Sequence, residues 1–143
     1  MDFNPIFTVE QMLELGVFDG NYFEPGKFRH VSNKNLFAPA VSLDKQKWID
    51  NGWITPDDPL GWVEWYYNWS QGRRVEELDK WQMNRWKSFS ARHGAQVKKN
   101  GNGDLSKRVR QRQCLLHWAA DPIPDIVLEN KFDYLLEIKR NQI

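Results

Sequence analysis

The stretch from Leu60 to Gln71 constrains the fold more than any other, because it predicts a helix that is apolar on nearly every side. Asp58 is expected to be the N-cap of this helix, with Pro59 in its first turn, and Gly72 is expected to end it. A helix that is apolar all round belongs at the centre of a fold. Its large apolar residues are Trp62, Val63, Trp65, Tyr66, Tyr67 and Trp69.

The segment before this helix contains one clear helix start. Thr8 and Gln11 have the spacing of a capping box, and Gly16 is placed to end the short helix that follows. Residues 18–43 show no period and are predicted to be irregular, although 36–41 is compatible with an extended segment. A further helix is predicted over 44–51, closed by Gly52.

Three more helices are predicted after the central one. The longest runs from Val75 to about Val97, with one apolar stripe at helical spacing. A glycine-rich turn separates it from a helix over 105–119, which Asp104 is expected to cap, and the two are predicted to pack antiparallel. Two prolines end that helix, and a last helix is predicted from Asp125 to about Arg140.

The sequence therefore predicts an all-α fold, a compact bundle of five or six helices with an irregular N-terminal segment. The 143 residues fit one domain, 1–143, that is large enough to bury a core without a disulfide or a metal. Eight Trp residues argue against disorder, because disordered chains contain few aromatic residues.

Three features favour a cytoplasmic protein. Cys114 is the one cysteine, so no intramolecular disulfide can form. The N-terminus lacks the basic and apolar regions of a signal peptide. No apolar run approaches the roughly 20 residues of a membrane span, so no membrane association is expected.

The charge is distributed unevenly along the chain. The segment from Arg85 to Arg112 has nine basic residues and one acid, Asp104, and thus a net charge of +8. The rest of the chain has eleven basic and eighteen acidic residues, a net charge of −7. A concentrated basic block is typical of a surface that binds a polyanion. The alternative is a solvated helix face, or a face that pairs with the acidic remainder.

The basic block predicts contacts to nucleic-acid phosphates from two adjacent helices. Arg112 is set apart, because it lies on an apolar stripe and is expected to form a buried ion pair. Trp86 and Trp118 are candidates for stacking on bases, but the spacing of Trp86 favours the core. The acid at Asp104 opposes phosphate binding nearby. The candidate binding residues are Arg73, Arg74, Arg85, Lys87, Arg92, Lys98, Lys99, Lys107, Arg108 and Arg110.

Two patterns are similar to catalytic or metal-binding sites. Cys114 and His117 are three residues apart on a predicted helix, a spacing that suits two zinc ligands or a nucleophile with its base. Zinc needs four ligands, however, and only His30 and His93 remain as further nitrogen ligands. Pro124-Asp125 with Glu137-Ile138-Lys139 is similar to a nuclease signature that requires adjacent strands, whereas this stretch is predicted to be helical. The sequence thus predicts no catalytic residue, no metal site and no cofactor.

Several runs resemble an uncharacterised family of small proteins from phages and large DNA viruses. The resemblance covers most of 16–121 and implies a viral accessory protein that acts inside a host cell, without implying an activity. It is carried by Gly16-Val17-Phe18-Asp19-Gly20-Asn21-Tyr22-Phe23, Trp53-Ile54-Thr55-Pro56-Asp57-Asp58-Pro59, Gly61-Trp62-Val63-Glu64-Trp65-Tyr66-Tyr67, Gly72-Arg73-Arg74 and Arg110-Gln111-Arg112-Gln113-Cys114-Leu115-Leu116-His117-Trp118-Ala119.

The leading interpretation is a non-enzymatic nucleic-acid-binding domain. The first alternative is a module that binds and inhibits a host protein through exposed Trp and Tyr. The second is a domain that binds a small phosphorylated nucleotide. An exposed basic stripe favours the first, an aromatic patch beside acids favours the second, and a closed pocket lined by Arg and Trp favours the third.

Overall fold

The computed structural model describes residues 3–17, 35–37, 50–52, 55–59 and 61–142, and within them it contains five helices and no sheet. The prediction of an all-α fold is therefore confirmed. In chain order the helices are α1 (Val9–Leu15), α2 (Trp62–Ser70), α3 (Glu76–Asn100), α4 (Val109–His117) and α5 (Lys131–Arg140).

Helix α2 lies at the centre of the core, as its apolar surface predicts. It packs against α1 and α3, while α5 packs against α1 and α4 against α3. Trp65 is completely buried. Phe3 inserts its ring among the aromatic residues of α2 and α3 in edge-on contacts, with centroid distances from 5.1 to 6.4 Å. Such contacts add to the stabilisation from burial alone.

The polar atoms of these buried rings have partners. The Trp65 indole N–H donates to Asp79 Oδ1 at 2.8 Å, and the Trp62 N–H donates to the Gln82 carbonyl at 3.2 Å. Tyr66 donates its hydroxyl to a backbone carbonyl near the N-terminus, and burial raises the pKa of this phenol to about 12. The core therefore holds its aromatic rings in fixed orientations.

The capping box of α1 is present as predicted. Thr8 accepts from the Gln11 amide, and the Gln11 side chain accepts from the Thr8 amide. Gly16 follows the helix with φ of 97°, a left-handed conformation that favours glycine.

The predicted start of α2 was wrong. Gly61, with φ of 91°, is the N-cap, and Asp58 lies outside the helix. The reason is that the Asp58 carboxylate is fully buried and used elsewhere, accepting from Asn68 Nδ2 at 2.9 Å and Arg73 Nη2 at 2.7 Å.

The predicted starts of the last two helices were also too early. Asp104 does not cap α4; its carboxylate accepts from the Ser106 amide and hydroxyl, and the helix begins only after Arg108. Asp125 does not begin α5, because its carboxylate binds Arg112; Asn130 is the N-cap instead. At Asp125 a tertiary ion pair overrides the local capping signal, whereas at Asp104 the competing contact is a local one with Ser106.

Some predictions lie outside the described residues. These are the irregular segment from 18 to 34, the extended segment beyond 37 and the helix over 44–49. Gly52, expected to close that helix, is described and has φ of 70°. In the described part of the chain, no helix is both long enough and apolar enough to span a bilayer.

Candidate nucleic-acid interface

Helices α3 and α4 form the antiparallel pair that the sequence predicts. Phe89 of α3 stacks on Trp118 just beyond α4, with ring centroids 4.8 Å apart, and further along α3 the Gln96 side chain accepts from Gln111 at 3.0 Å. Val97 and Leu115 are buried together between the helices. The pair is thus a rigid support for the basic residues on its outer side.

The guanidinium of Arg112 joins α4 to the turn that precedes it. Arg112 has no exposed surface, which confirms the predicted buried ion pair, and its partner is Asp125. The pair is bidentate, with both nitrogen–oxygen distances at 2.8 Å. Arg112 also donates to the carbonyls of Lys107, Asp104 and Pro122 at 2.8, 3.1 and 3.1 Å.

These contacts position the turn over 101–108, called the basic turn below, beside the C-terminal end of α3. Asp125 accepts from the Gly103 amide at 2.8 Å, so the ion pair holds both ends of the turn. The Arg112 guanidinium keeps the pKa of the Asp125 carboxyl below its ordinary value. Lys107 and Arg108 are consequently held at the same end of the molecule as the last turn of α3.

Seven of the ten candidate residues are exposed on the outer side of this helix pair. Asp104, the acid within the basic block, accepts from the amide and hydroxyl of Ser106, and these bonds together with the nearby charge of Lys107 keep the pKa of its carboxyl below the ordinary value. The seven residues are Lys87, Arg92, Lys98, Lys99, Lys107, Arg108 and Arg110.

The other candidates make contacts within the protein. Arg73 forms an ion pair with the buried Asp58, and this hydrogen bond raises the pKa of the guanidinium. Arg74 donates to the Trp69 carbonyl at 2.7 Å and lies 4.4 Å from the centre of the Trp69 ring. These two arginines lie in the linker between α2 and α3, and their contacts are with α2 and the segment before it.

Arg85 is held between two indole rings. Its guanidinium lies 4.8 Å from the ring centre of Trp81 and 5.3 Å from that of Trp118, and it donates to Gln82 at 2.8 Å. Burial lowers its pKa to about 10. Arg85 therefore stabilises the α3–α4 contact.

The tryptophans proposed for base stacking have structural roles. Trp86 is buried, as its spacing predicts, and donates its N–H to the Trp118 carbonyl at 2.8 Å. The Trp118 ring is half-buried, lying against Phe89 and 5.0 Å from the centroid of Trp62. Neither ring presents a free platform on the basic surface.

His93 lies at the seam between the helices, where its ring contacts residues of both. Its Nδ1 is 3.2 Å from Gln111 Nε2, and its ring is 4.3 Å from that of Phe89. Burial and the adjacent Arg92 lower its pKa. His93 is therefore neutral at pH 7 and adds no charge to the basic surface.

The pairs considered for metal binding or catalysis are in structural environments. His117 is buried and contacts Gln113, and burial raises the pKa of the nearby Cys114 thiol. His30 lies outside the described residues, among which no group of three or more His, Cys, Asp or Glu is arranged to hold a metal ion. Glu137 and Lys139 are in helix α5 rather than in a strand, and Asp125 binds Arg112.

Sequence reasoning missed the acidic partners of Arg112 and Arg73. Asp125 and Asp58 both stand beside proline, which made them resemble ordinary helix N-caps. The only signal of a tertiary role was the apolar stripe that contains Arg112, which requires an acid without identifying it.

Comparisons with known proteins found no matching family model, no matching curated protein and no matching solved structure. The resemblance to small viral proteins thus remains a prediction. Any functional conclusion has to come from the geometry of the chain itself.

Proposed function

We propose that this protein binds nucleic acid, with phosphate groups contacting the outer side of the α3–α4 pair. The observation that carries the proposal is the set of seven exposed cations on that side. They are Lys87, Arg92, Lys98, Lys99, Lys107, Arg108 and Arg110. The opposite side of the α3–α4 pair is buried through Trp86, Val97 and Leu115. The cations are therefore displayed on a rigid support.

The local charge balance supports a polyanionic ligand. No acidic residue occurs between Lys80 and Gly103, and the buried Asp125 is already paired with Arg112. Phosphate contacts supply most of the sequence-independent affinity for nucleic acids, and each contact releases counterions. Binding is thus expected to be weakly sequence-selective and strongly dependent on salt.

The first prediction is a strong salt dependence of the affinity for nucleic acid. It is measured by fluorescence anisotropy with single- and double-stranded oligonucleotides at about 50 and about 150 mM salt. About four to six phosphate contacts give a slope of log affinity against log salt of about −3 to −5. Reversing the charges at Lys107, Arg108 and Arg110 is expected to remove most of this slope and leave the helical content unchanged, because these side chains are exposed.

A single-site comparison controls for net charge. Arg108→Glu and Arg140→Glu change the charge equally, but Arg140 lies at the end of α5, near the contact of Gln142 with Leu36. Only Arg108→Glu is expected to weaken binding. The absence of binding to any oligonucleotide at micromolar protein in low salt contradicts the proposed function.

A protein partner is the second candidate, and one exposed apolar group favours it. Val127 is 97% exposed, with Leu128 beside it, while Tyr134 is exposed on α5. Acids at Glu129 and Asp133 flank these residues. The resemblance to viral proteins suggests a host protein as this partner. We place this second because the apolar group is small compared with the basic surface.

A phosphorylated nucleotide is the third candidate. It requires a pocket lined by Arg and Trp, and the guanidinium of Arg85 already occupies the space between Trp81 and Trp118. This arrangement favours a structural role for these residues.

A further inference from the structure

The outward face of α3 contains a ridge of small residues. An α-helix turns by about 100° per residue, so this ridge points away from the direction of the buried residues Gln82, Trp86 and Val97. The ridge is four exposed residues at positions i, i+4, i+7 and i+11, namely Asn84, Ser88, Ala91 and Ala95.

Exposed cations line both sides of this ridge. On one side, Lys80, Lys87 and Lys98 fall within about 20° of one direction around the helix. On the other side, Arg92 and Lys99 share a second direction, about 100–140° from the first. The helical rise separates successive cations in a row by about 10–16 Å. The charge is thus arranged as two parallel rows on one straight helix.

Two rows with a narrow ridge between them match the major groove of duplex DNA. That groove is about 12 Å wide and admits an α-helix, whose diameter is about 10–12 Å. A helix in the groove has one phosphate strand on each side, where each cation row would find its contacts. The small side chains at Ala91 and Ala95 allow the helix to approach the base edges closely.

Other nucleic acids fit this surface less well. Single strands are usually bound by exposed aromatic rings, but Trp86 is buried and Trp118 stacks on Phe89. Trp81 is exposed on α3, and the guanidinium of Arg85 lies 4.8 Å from its ring centre. Double-stranded RNA has a deep, narrow major groove that does not admit a helix. The two-sided charge, and the contacts that these three indole rings make within the protein, both favour duplex DNA.

We infer that α3 binds in the major groove of double-stranded DNA, with the two cation rows contacting opposite strands. Lys107 and Arg108, in the turn beyond the end of α3, contact the adjacent backbone. Glu76 and Glu77 in the first turn limit the contact to the region from Lys80 onward, because they repel phosphate. This inference rests on the proposed function and specifies its ligand.

The second prediction compares four ligands of one sequence by anisotropy at low salt: duplex DNA, single-stranded DNA, double-stranded RNA, and duplex DNA with glucosylated 5-hydroxymethylcytosine. Plain duplex DNA is expected to bind at least about tenfold more tightly than the other three. Single-stranded DNA has no major groove, the major groove of double-stranded RNA is too narrow for a helix, and the glucose fills the groove of the modified duplex. Netropsin, which occupies the minor groove, is expected to leave the affinity unchanged.

Variants test the two-sided arrangement. Lys87→Gln with Lys98→Gln removes charge from one row, and Arg92→Gln with Lys99→Gln removes it from the other. Each pair is expected to weaken duplex binding about tenfold or more, and Arg140→Gln, as the control, is expected to have no effect. Ala95→Glu is expected to weaken binding with unchanged circular dichroism, since this position is exposed.

Equal affinity for duplex DNA and double-stranded RNA would overturn the inference, as would insensitivity to glucosylation or an effect of only one row. Binding to nucleic acid would persist in each of those cases, so the proposed function would stand. Loss of binding to every ligand would contradict both.

Discussion

At the scale of single residues, Gly101 shows how closely the basic turn is packed. A Cβ atom at this position would lie 2.3 Å from Asp125 Oδ2, 2.5 Å from Arg112 Nη2 and 2.7 Å from the Val97 carbonyl oxygen. The φ of −78° is ordinary, so glycine is required here by the close approach of these atoms and not by the backbone conformation. At Gly94, in the middle of α3, no atom outside the backbone of its own helix lies within 4 Å of the equivalent position.

The third prediction therefore compares two Gly→Ala variants by urea denaturation with tryptophan fluorescence. Gly101→Ala is expected to lower the free energy of unfolding by about 1–3 kcal/mol, because the new methyl group displaces a buried ion pair or a carbonyl. Gly94→Ala is expected to raise it by about 0.5–1 kcal/mol, since alanine favours the helix. Equal stability of the two variants would show that the turn accommodates a side chain.

At the scale of elements, local sequence signals predicted which helices exist better than where they begin. The α1 capping box and the apolar surface of α2 depend on neighbouring residues, so the sequence is sufficient to identify them. The start of α5 depends on the pairing of Asp125 with Arg112, a residue of another helix, so no local pattern reports it. The same limit applied to the candidate site, where the fold brings Asp58 to Arg73 and Trp118 to Arg85.

The fourth prediction concerns this ion pair. Asp125→Ala leaves the fully buried Arg112 without its counter-charge and is expected to lower the free energy of unfolding by about 3–5 kcal/mol. Lys131→Met removes one partner of the Lys131–Asp121 pair, whose side chains are 19% and 31% exposed, and is expected to cost less than about 1 kcal/mol. Urea denaturation measures both values.

A double variant separates charge from packing in this pair. Arg112→Met with Asp125→Leu removes both charges, and it is expected to recover part of the stability lost in Asp125→Ala. If Asp125→Ala is as stable as Lys131→Met, the ion pair does not hold the basic turn in place.

At the scale of the whole molecule, the aromatic core and the seven exposed cations occupy different regions. The rings of Trp62, Trp65 and Tyr66 fill the interior around α2, and the basic residues are on the outer side of α3 and α4. Gln113, on the buried side of α4, connects that helix to the N-terminal region. It donates to the Gly16 carbonyl at 3.0 Å and accepts from the Phe37 amide at 2.7 Å.

These bonds fix the protonation state of His117. Because Gln113 Oε1 accepts from Phe37, its Nε2 must be the atom that contacts His117 Nε2, at 2.9 Å. An amide nitrogen donates, so His117 Nε2 has to accept and the imidazole is neutral. Burial acts in the same direction and lowers the pKa of His117 from 6.5 to about 3.

The fifth prediction is a loss of stability in mild acid. The unfolded chain binds a proton on His117 near its ordinary pKa of 6.5 while the folded protein does not, so the unfolded state gains stability as the pH falls below that value. Each pH unit below it is expected to lower the free energy of unfolding by up to about 1.4 kcal/mol. Urea denaturation between about pH 7.5 and about pH 5 measures this change. Most carboxylates titrate below this pH range, so they contribute little to it.

Two measurements identify His117 as the source of that loss. His117→Gln is expected to flatten the pH dependence, whereas His93→Gln should leave most of it, because His93 is only half-buried. If His117→Gln does not fold, NMR titration of the parent protein provides the same test. The His117 ring proton signal is expected to stay unchanged from about pH 7.5 to about pH 5, since its folded pKa lies well below that range. A titration of this signal near pH 6.5 would show that the ring is accessible to protons and that Gln113 does not hold it in the neutral form.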